Sequence, residues 1–248
     1  MHQPGKKIAI AQTRPIVGPV ENNLTQHHLL VELAAREGAG LIVFPELSLT
    51  GYEPKAAASL ARAPEDACFL TIQALANLNG LSIAVGVPTQ GDLMPRISTL
   101  VFRPHLEVEV HSKHYLHQDE WPYFEPGGNP LCLLSEAPAV ALAICYELSV
   151  PQHAQDALRA GASVYVASVA KTEQGVNGAN ERLAKIASEY SIDVMMANCI
   201  GAMDGTECVG RSGVWNSEGR QLGHLSSDEA GVAVLDVTTK EVVLVNAH

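Results

Sequence analysis

Aromatic side chains make up only 5% of this 248-residue chain, so its interior must be packed with Ala, Val, Leu and Ile rather than with rings. Long apolar runs are also missing. Nothing approaches the ~20 unbroken apolar residues of a membrane-spanning helix, and no such helix is expected. The stretch Ile8-Ala9-Ile10-Ala11, behind Met1-His2-Gln3-Pro4-Gly5-Lys6-Lys7, is too short for a span and lacks the cleavage pattern of a secretory leader. Basic residues are few, with 16 Lys and Arg against 27 Asp and Glu. The formal net charge of -11 disfavours nucleic acid as a partner, because phosphate binding needs a basic face. Five cysteines (68, 132, 145, 199 and 208) form an odd, widely spaced set with no C-x-x-C pair. That usage fits reduced thiols in a cytoplasmic protein rather than a disulfide framework. Neither phosphate-loop pattern is present, so Gly127-Gly128 and Gly86-Val87-Pro88 read as turns. No internal repeat or low-complexity tract appears.

What is present is ample core material, 47% hydrophobic against 17% charged. Short apolar runs alternate with helical patterns. Strands are expected at Lys7 to Thr13, Leu41 to Phe44 and Ser82 to Val87, then at Ile97 to Phe102 and Leu106 to Ser112 as an antiparallel pair. Helices are expected at Val20 to Glu37 and at Asp66 to Asn79, the second stopped by Gly80. After the Pro- and Gly-rich loop Trp121 to Pro130, strand Ala139 to Ile144 leads to helix Gln152 to Ala160. Strand Ser163 to Ser168 leads to helix Ala179 to Tyr190, followed by strands at Ile192 to Asn198, Ser212 to Trp215 and Gly231 to Val237. Short loops without a long linker favour one domain over residues 1–248. Alternating β and α elements with hairpin insertions predict a layered α/β sandwich.

Three of these strands end on reactive residues. Glu46 follows Leu41-Ile42-Val43-Phe44-Pro45, Lys113 follows Leu106 to Ser112, and Cys145 follows Ala139 to Ile144. In α/β chains, ligands gather beyond the carboxyl ends of strands. A carboxylate, an ammonium and a thiol gathered there describe covalent acyl transfer. A thiol attacks a carbonyl as thiolate, and a free cysteine has a pKa of about 8.5, so a base must take the proton. A carboxylate whose pKa is raised by burial can do so, and Glu46 has the apolar flank for it. Lys113 and the backbone N–H of Tyr146 are candidates for the oxyanion donors.

Phe44-Pro45-Glu46-Leu47-Ser48-Leu49-Thr50-Gly51-Tyr52 resembles the first signature of the nitrilase superfamily of carbon–nitrogen hydrolases. Lys113, with Glu120 seven residues on and Tyr123-Phe124-Glu125-Pro126-Gly127 beyond, resembles the second. Ala143-Ile144-Cys145-Tyr146-Glu147 with Pro151 resembles the third. Fainter similarity at Gly161-Ala162, Asn198 and Gly210-Arg211-Ser212 extends the match over nearly the whole chain. The resemblance implies Glu46 as general base, Cys145 as nucleophile, Lys113 as oxyanion stabiliser and Glu120 as a second glutamate that positions substrate and supports Lys113. It places Tyr52, Tyr123 and Tyr146 at the substrate. It implies a four-layer α-β-β-α sandwich that pairs into homodimers, uses no metal or organic cofactor, and hydrolyses an amide or nitrile through a thioester. The implied substrate is a small aliphatic amide, with an ω-amidase as one form. A carbamoyl-amide hydrolase and a nitrilase are the alternatives. A non-catalytic binding protein on the same sandwich is an alternative of another class.

The chain departs from the family pattern in places. Tyr115 stands where a histidine is common. Many members carry Asp and then an Arg-Phe-Pro-Glu stretch after the nucleophile, where this chain has Glu147-Leu148-Ser149-Val150-Pro151-Gln152. Without that arginine, carbamoyl amino acids fit less comfortably unless Lys171, Arg182 or Arg211 compensates. His111, His114 and His117 recur every third residue, which raises zinc binding and a Cys-His pair as rival readings. Zinc needs three or four convergent ligands, and a Cys-His pair leaves Glu46 unused. The cysteines other than Cys145 read as small buried hydrophobes.

Overall fold

The computed structural model describes residues 7–247, the side chain of residue 136 apart. The amino-terminal segment 1–6, read above for a leader, lies outside the described residues. In chain order the elements are β1 (Lys7–Gln12), α1 (Glu21–Arg36), β2 (Leu41–Val43), α2 (Ala57–Leu60), α3 (Leu70–Asn79), β3 (Ser82–Thr89), β4 (Arg96–Phe102) and β5 (Glu109–Ser112). Next come β6 (Cys132–Glu136), β7 (Ala139–Ile144), α4 (Pro151–Arg159), β8 (Val164–Ser168), α5 (Glu173–Tyr190) and β9 (Asp193–Ala197). β10 (Ile200–Met203), β11 (Thr206–Val209), β12 (Gly213–Trp215), β13 (Gln221–His224), β14 (Gly231–Asp236) and β15 (Val242–Asn246) complete the chain.

Two sheets stack face to face. One has seven strands in the order β15-β14-β1-β2-β3-β4-β5, the other six in the order β13-β12-β9-β8-β7-β6. Strand alternation sorts the side chains into layers. Ile8 and Ile10 of β1 face the space between the sheets with Val43, Leu142, Val166 and Met195, whereas Ala9 and Ala11 face outward against Leu30, Val31 and Ala34 of α1 and Ile72 and Ala76 of α3. On the far side, Ala141, Tyr165 and Met196 pack on Ala154 and Ala157 of α4 and on Val176, Leu183 and Ala187 of α5. The result is the expected four-layer α-β-β-α sandwich.

This topology gathers the site. β1, β2 and β3 run parallel, β4 reverses and β5 reverses again, so the ends of β2 and β5 share one edge. β7, β8 and β9 run parallel in the other sheet. The two edges are joined where the Ser168 hydroxyl, at the end of β8, donates to the Phe44 carbonyl beyond β2 at 2.8 Å.

Several elements differ from expectation. α5 begins at Glu173 rather than Ala179, because Gly175 and Gly178 obscure a helical stripe that Val176 already opens. The helix expected from Asp66 opens as a 3-10 turn, Ala67–Phe69, with the Asp66 carboxylate accepting the Cys68 N–H. The hairpin β10–β11 was not expected, although its two-residue loop is Asp204-Gly205, both at positive φ, a common hairpin turn. β13 and β15 are edge strands with largely exposed residues, and they lack the buried alternation that reveals inner strands.

Candidate active site

Glu46 is delivered by a strained turn. β2 ends at Val43, Leu47 takes φ 51°, and the turn lies hard against β3. A Cβ on Gly86 would stand 2.3 Å from the Leu47 nitrogen, so this position of β3 admits only glycine. The Ser48 hydroxyl braces the turn, accepting the Gly86 N–H at 3.3 Å and contacting His27 Nε2 at 3.1 Å. Glu46 itself is 2% exposed.

Lys113 is 0% exposed and its ammonium is shared between two carboxylates. Nζ donates to Glu46 Oε1 at 2.7 Å and to Glu120 Oε1 at 2.6 Å. Glu120 Oε1 also accepts the Tyr52 hydroxyl at 3.0 Å, and its Oε2 accepts the His117 N–H at 2.7 Å. Two carboxylates around one ammonium leave an excess negative charge. Burial therefore raises the Glu46 pKa above its ordinary value, against the opposing pull of Lys113. Burial alone would discharge Lys113, but Glu46, Cys145 and Glu120 outweigh it and hold the ammonium above its usual range. Glu46 Oε2 makes no hydrogen bond of ordinary geometry, and the Cys145 thiol is near enough to draw the Glu46 pKa down. That oxygen is the one free to take a proton.

Cys145 begins the 3-10 turn Cys145–Ser149 directly after β7, at φ 48°. A non-glycine residue held there is strained, and such strain clusters at functional sites. Burial and then the Glu46 charge push the thiol up to about 11, with Lys171 and Lys113 pulling the other way. At neutral pH it rests as a thiol beside a base. Together these groups can move a proton from sulfur to carboxylate while an ammonium faces the same centre.

Cys145, Glu46 and Glu120 open on a cleft of about 370 Å³, at the small end of ligand sites. Tyr52 and Tyr146 line it, the Tyr146 ring standing edge-on to His117. Tyr123 is not among the lining residues. It packs on the inter-sheet core, and its N–H closes the turn on the Glu120 carbonyl. The three spaced histidines go separate ways: His111 lies near Glu109, His114 Nδ1 meets the Gly127 carbonyl, and His117 lies near Asp119. Among the described residues no group of three or more His, Cys, Asp or Glu is placed to hold a metal ion.

The remaining wall is less visible in sequence. It comes from Lys171, Thr172 and Gly175 at the start of α5 and from Met203, Asp204 and Thr206 of the β10–β11 hairpin. Asn198 fixes this side, its amide accepting the Lys171 N–H at 2.9 Å and donating to the Lys171 and Gly210 carbonyls. Of the three basic residues weighed as compensators, only Lys171 lines the cleft. Arg211 pairs with Glu173, and Arg182 lies in a separate surface groove.

The carbon-nitrogen hydrolase family model matches residues 7–246. This chain belongs to the carbon–nitrogen hydrolases. Within that family it is similar to the nitrilase of Pyrococcus abyssi, 25% identical over 240 residues that cover 93% of this chain and 90% of that one. It is 29% identical over 226 residues to a glutamine-dependent NAD(+) synthetase of Xylella fastidiosa, covering 86% of this chain. It spans only 41% of that synthetase. In structure it is similar to the amidase from Nesterenkonia sp. AN1, with a TM-score of 0.82 and 27% identity over 94% of each chain. That amidase structure shows Michael addition of acrylamide at its active-site cysteine. A cysteine-to-alanine variant of the same amidase, in complex with butyramide, matches with a TM-score of 0.81 and 26% identity over 97% of this chain and 90% of that one. The chain is a hydrolase of the nitrilase superfamily, and its neighbours in structure are amidases.

Proposed function

We propose that this carbon–nitrogen hydrolase is an amidase acting on a small linear primary amide through an acyl-enzyme on Cys145. The observation that carries this is a buried Glu46 close enough to the Cys145 thiol for each to shift the other's pKa, with Oε1 bound to Lys113 and Oε2 left without a hydrogen bond. Glu46 takes the thiol proton as sulfur attacks the amide carbon. Lys113 and the Tyr146 backbone N–H receive the developing oxyanion. Glu46 then gives its proton to the departing nitrogen and ammonia leaves, with carbon now bound to sulfur. Water attacks the thioester, Glu46 accepts a water proton, and the acid departs as the proton returns to sulfur. Glu120, held by Tyr52 and the His117 N–H, keeps Lys113 aimed at the reacting carbon. A panel of amides, nitriles and carbamoyl compounds scored for ammonia release tests the reading. Cysteine-dependent release from amides supports it, and release from nitriles alone would replace it.

The base must be ionised to act, so activity is lost as pH falls through the raised Glu46 pKa. The acid limb of kcat/KM is therefore expected above 4.5, the ordinary glutamate value. Glu46→Gln is expected to cut kcat/KM by roughly 10²- to 10⁴-fold and to abolish that limb in a pH–rate profile.

Lys171 favours the ω-amidase form of this reading. It is half-buried in the cleft wall, and no salt-bridge partner faces it among the described residues. An unpaired ammonium there suits an amide whose far end is a carboxylate. The side-chain amide of glutamine, in the NAD(+) synthetases to which the chain is similar, falls in the same chemical class. Lys171→Met is expected to lower the kcat/KM ratio of succinamate to butyramide by roughly 10- to 100-fold, the worth of a charged hydrogen bond. An unchanged ratio would remove Lys171 from substrate choice.

A further inference from the structure

One buried carboxylate has no part in the steps above. Glu147 is 4% exposed and lies two residues past the nucleophile, within the turn Cys145–Ser149. Its Oε2 accepts the N–H of Ile144, the residue just before Cys145, at 2.8 Å. Its Oε1 accepts the N–H of His114 at 2.8 Å and that of Tyr115 at 3.4 Å, the two residues just after Lys113. Ile144 ends β7 in the six-stranded sheet, whereas Lys113 follows β5 in the seven-stranded sheet. A single side chain thus ties the end of one sheet's strand to the segment after the other's, and its bonds land on the backbone next to Cys145 on one side and next to Lys113 on the other.

The groups facing Glu147 show that this is not an ordinary ion pair. His153 Nε2 stands 3.6 Å from Oε2, but its Nδ1 meets the Tyr165 hydroxyl at 2.9 Å. Burial lowers the His153 pKa to about 4, so the ring is neutral near pH 7. Burial raises the Glu147 pKa, and the N–H groups of Ile144, His114 and Tyr115, together with the Lys113 charge, pull it back. The carboxylate is therefore held mainly by backbone donors. Such a three-point acceptor, using both oxygens, fixes geometry in a way that one hydroxyl or amide oxygen cannot. It also buttresses the strained Cys145 backbone, which persists only where its surroundings determine it.

We propose that Glu147 is a positioning residue for acyl transfer, setting the spacing between the Cys145 thiol and the Lys113 ammonium by clasping the backbone beside each across the two sheets. The inference rests on the roles given to Glu46, Lys113 and Cys145 above. It is distinct from them, because Glu147 does not line the cleft and bonds to backbone groups.

The test compares Glu147→Gln, Glu147→Asp and Tyr165→Phe with the parent protein. Three quantities are read: kcat and KM on the best amide, the rate of Cys145 alkylation by iodoacetamide followed by mass spectrometry, and Tm. Glu147→Gln turns an N–H donor toward backbone N–H groups and so releases one side of the clasp. A lateral error of about 1 Å at a reacting centre costs roughly 10²-fold, so kcat should fall by about that factor with KM little changed. Alkylation should slow by about tenfold or more as the ammonium no longer sits squarely beside the thiol. Glu147→Asp keeps the charge on a shorter arm and should recover part of both rates. Tyr165→Phe strips only the partner of His153, and is expected to lower Tm with both rates kept.

Parental kcat and alkylation in Glu147→Gln, with a lower Tm alone, would overturn the proposal. Should Glu147→Gln not fold, parental rates in Glu147→Asp would do the same. Failure of the amidase reading looks different: the parent would release no ammonia from any amide. The alkylation rate needs no substrate and would still read Glu147.

Discussion

Cys145→Ala is expected to reduce ammonia release by roughly 10⁴-fold or more, the scale on which losing a covalent nucleophile is felt when base and oxyanion donors remain. The substitution removes one sulfur and keeps the Cβ, so the strained turn at φ 48° gains no new clash. Circular dichroism and Tm should therefore match the parent. Substrate affinity should survive as well, because the cleft walls at Tyr52, Tyr146 and Lys171 are untouched. Binding of butyramide by calorimetry, together with absent turnover, would separate lost chemistry from lost structure. If the variant retained parental turnover, Cys145 would not be the nucleophile.

Lys113→Met is expected to be the most damaging single change to both stability and rate. Lys113 is wholly buried and bonded to two carboxylates, so its removal leaves Glu46 and Glu120 facing each other without a cation. Breaking a buried charge pair from one side costs about 3–5 kcal/mol. Loss of the oxyanion donor should cost about 10²–10³ in kcat in whatever remains folded. The damage has a pH signature. With the ammonium gone, Glu46 loses the charge that pulls its pKa down, and native Glu46 binds its proton more tightly than the ordinary 4.5 of an unfolded glutamate. The native state then holds more protons than the unfolded one between 4.5 and the raised value, so stability falls as pH rises through that window. Denaturant midpoints for Lys113→Met should therefore improve on acidification over a range where the parent changes less. A flat difference between variant and parent would mean that the two carboxylates are not uncompensated.

The candidate site was legible in the sequence where its residues sit at the ends of inner strands. Leu41-Ile42-Val43 lies between two parallel neighbours and Ala139 to Ile144 between one parallel and one antiparallel neighbour, and both read as unbroken, largely buried apolar runs. The residues just beyond them, Glu46 and Cys145, inherit their placement from that pattern. Lys113 was legible for a similar reason, as the residue past an alternating strand. Tyr123 was misplaced because an aromatic in a Pro- and Gly-rich loop gives no sign of whether it faces the cleft or the core.

The other wall of the site is made by contacts between distant residues. Lys171 lines the cleft because Asn198, 27 positions away, grips its backbone on both sides. Glu147 bonds to the backbone 33 positions earlier, just past a strand of the other sheet, and no local spacing encodes that partner. The hairpin that supplies Met203, Asp204 and Thr206 was signalled only by its Asp-Gly loop, since each of its strands has four residues. Weak local patterns and distant partners, rather than unusual chemistry, account for what the sequence left out.

The central claim is that an amide carbon passes through a bond to the Cys145 sulfur. Acid-quenching the protein within its first turnovers of a hydrolysed amide, followed by mass spectrometry of the peptide containing Cys145, tests it most directly. The account predicts an added acyl group on that peptide, labile to hydroxylamine and absent in Cys145→Ala. Steady ammonia release with the Cys145 peptide unmodified, and with the rate retained in Cys145→Ala, would contradict it.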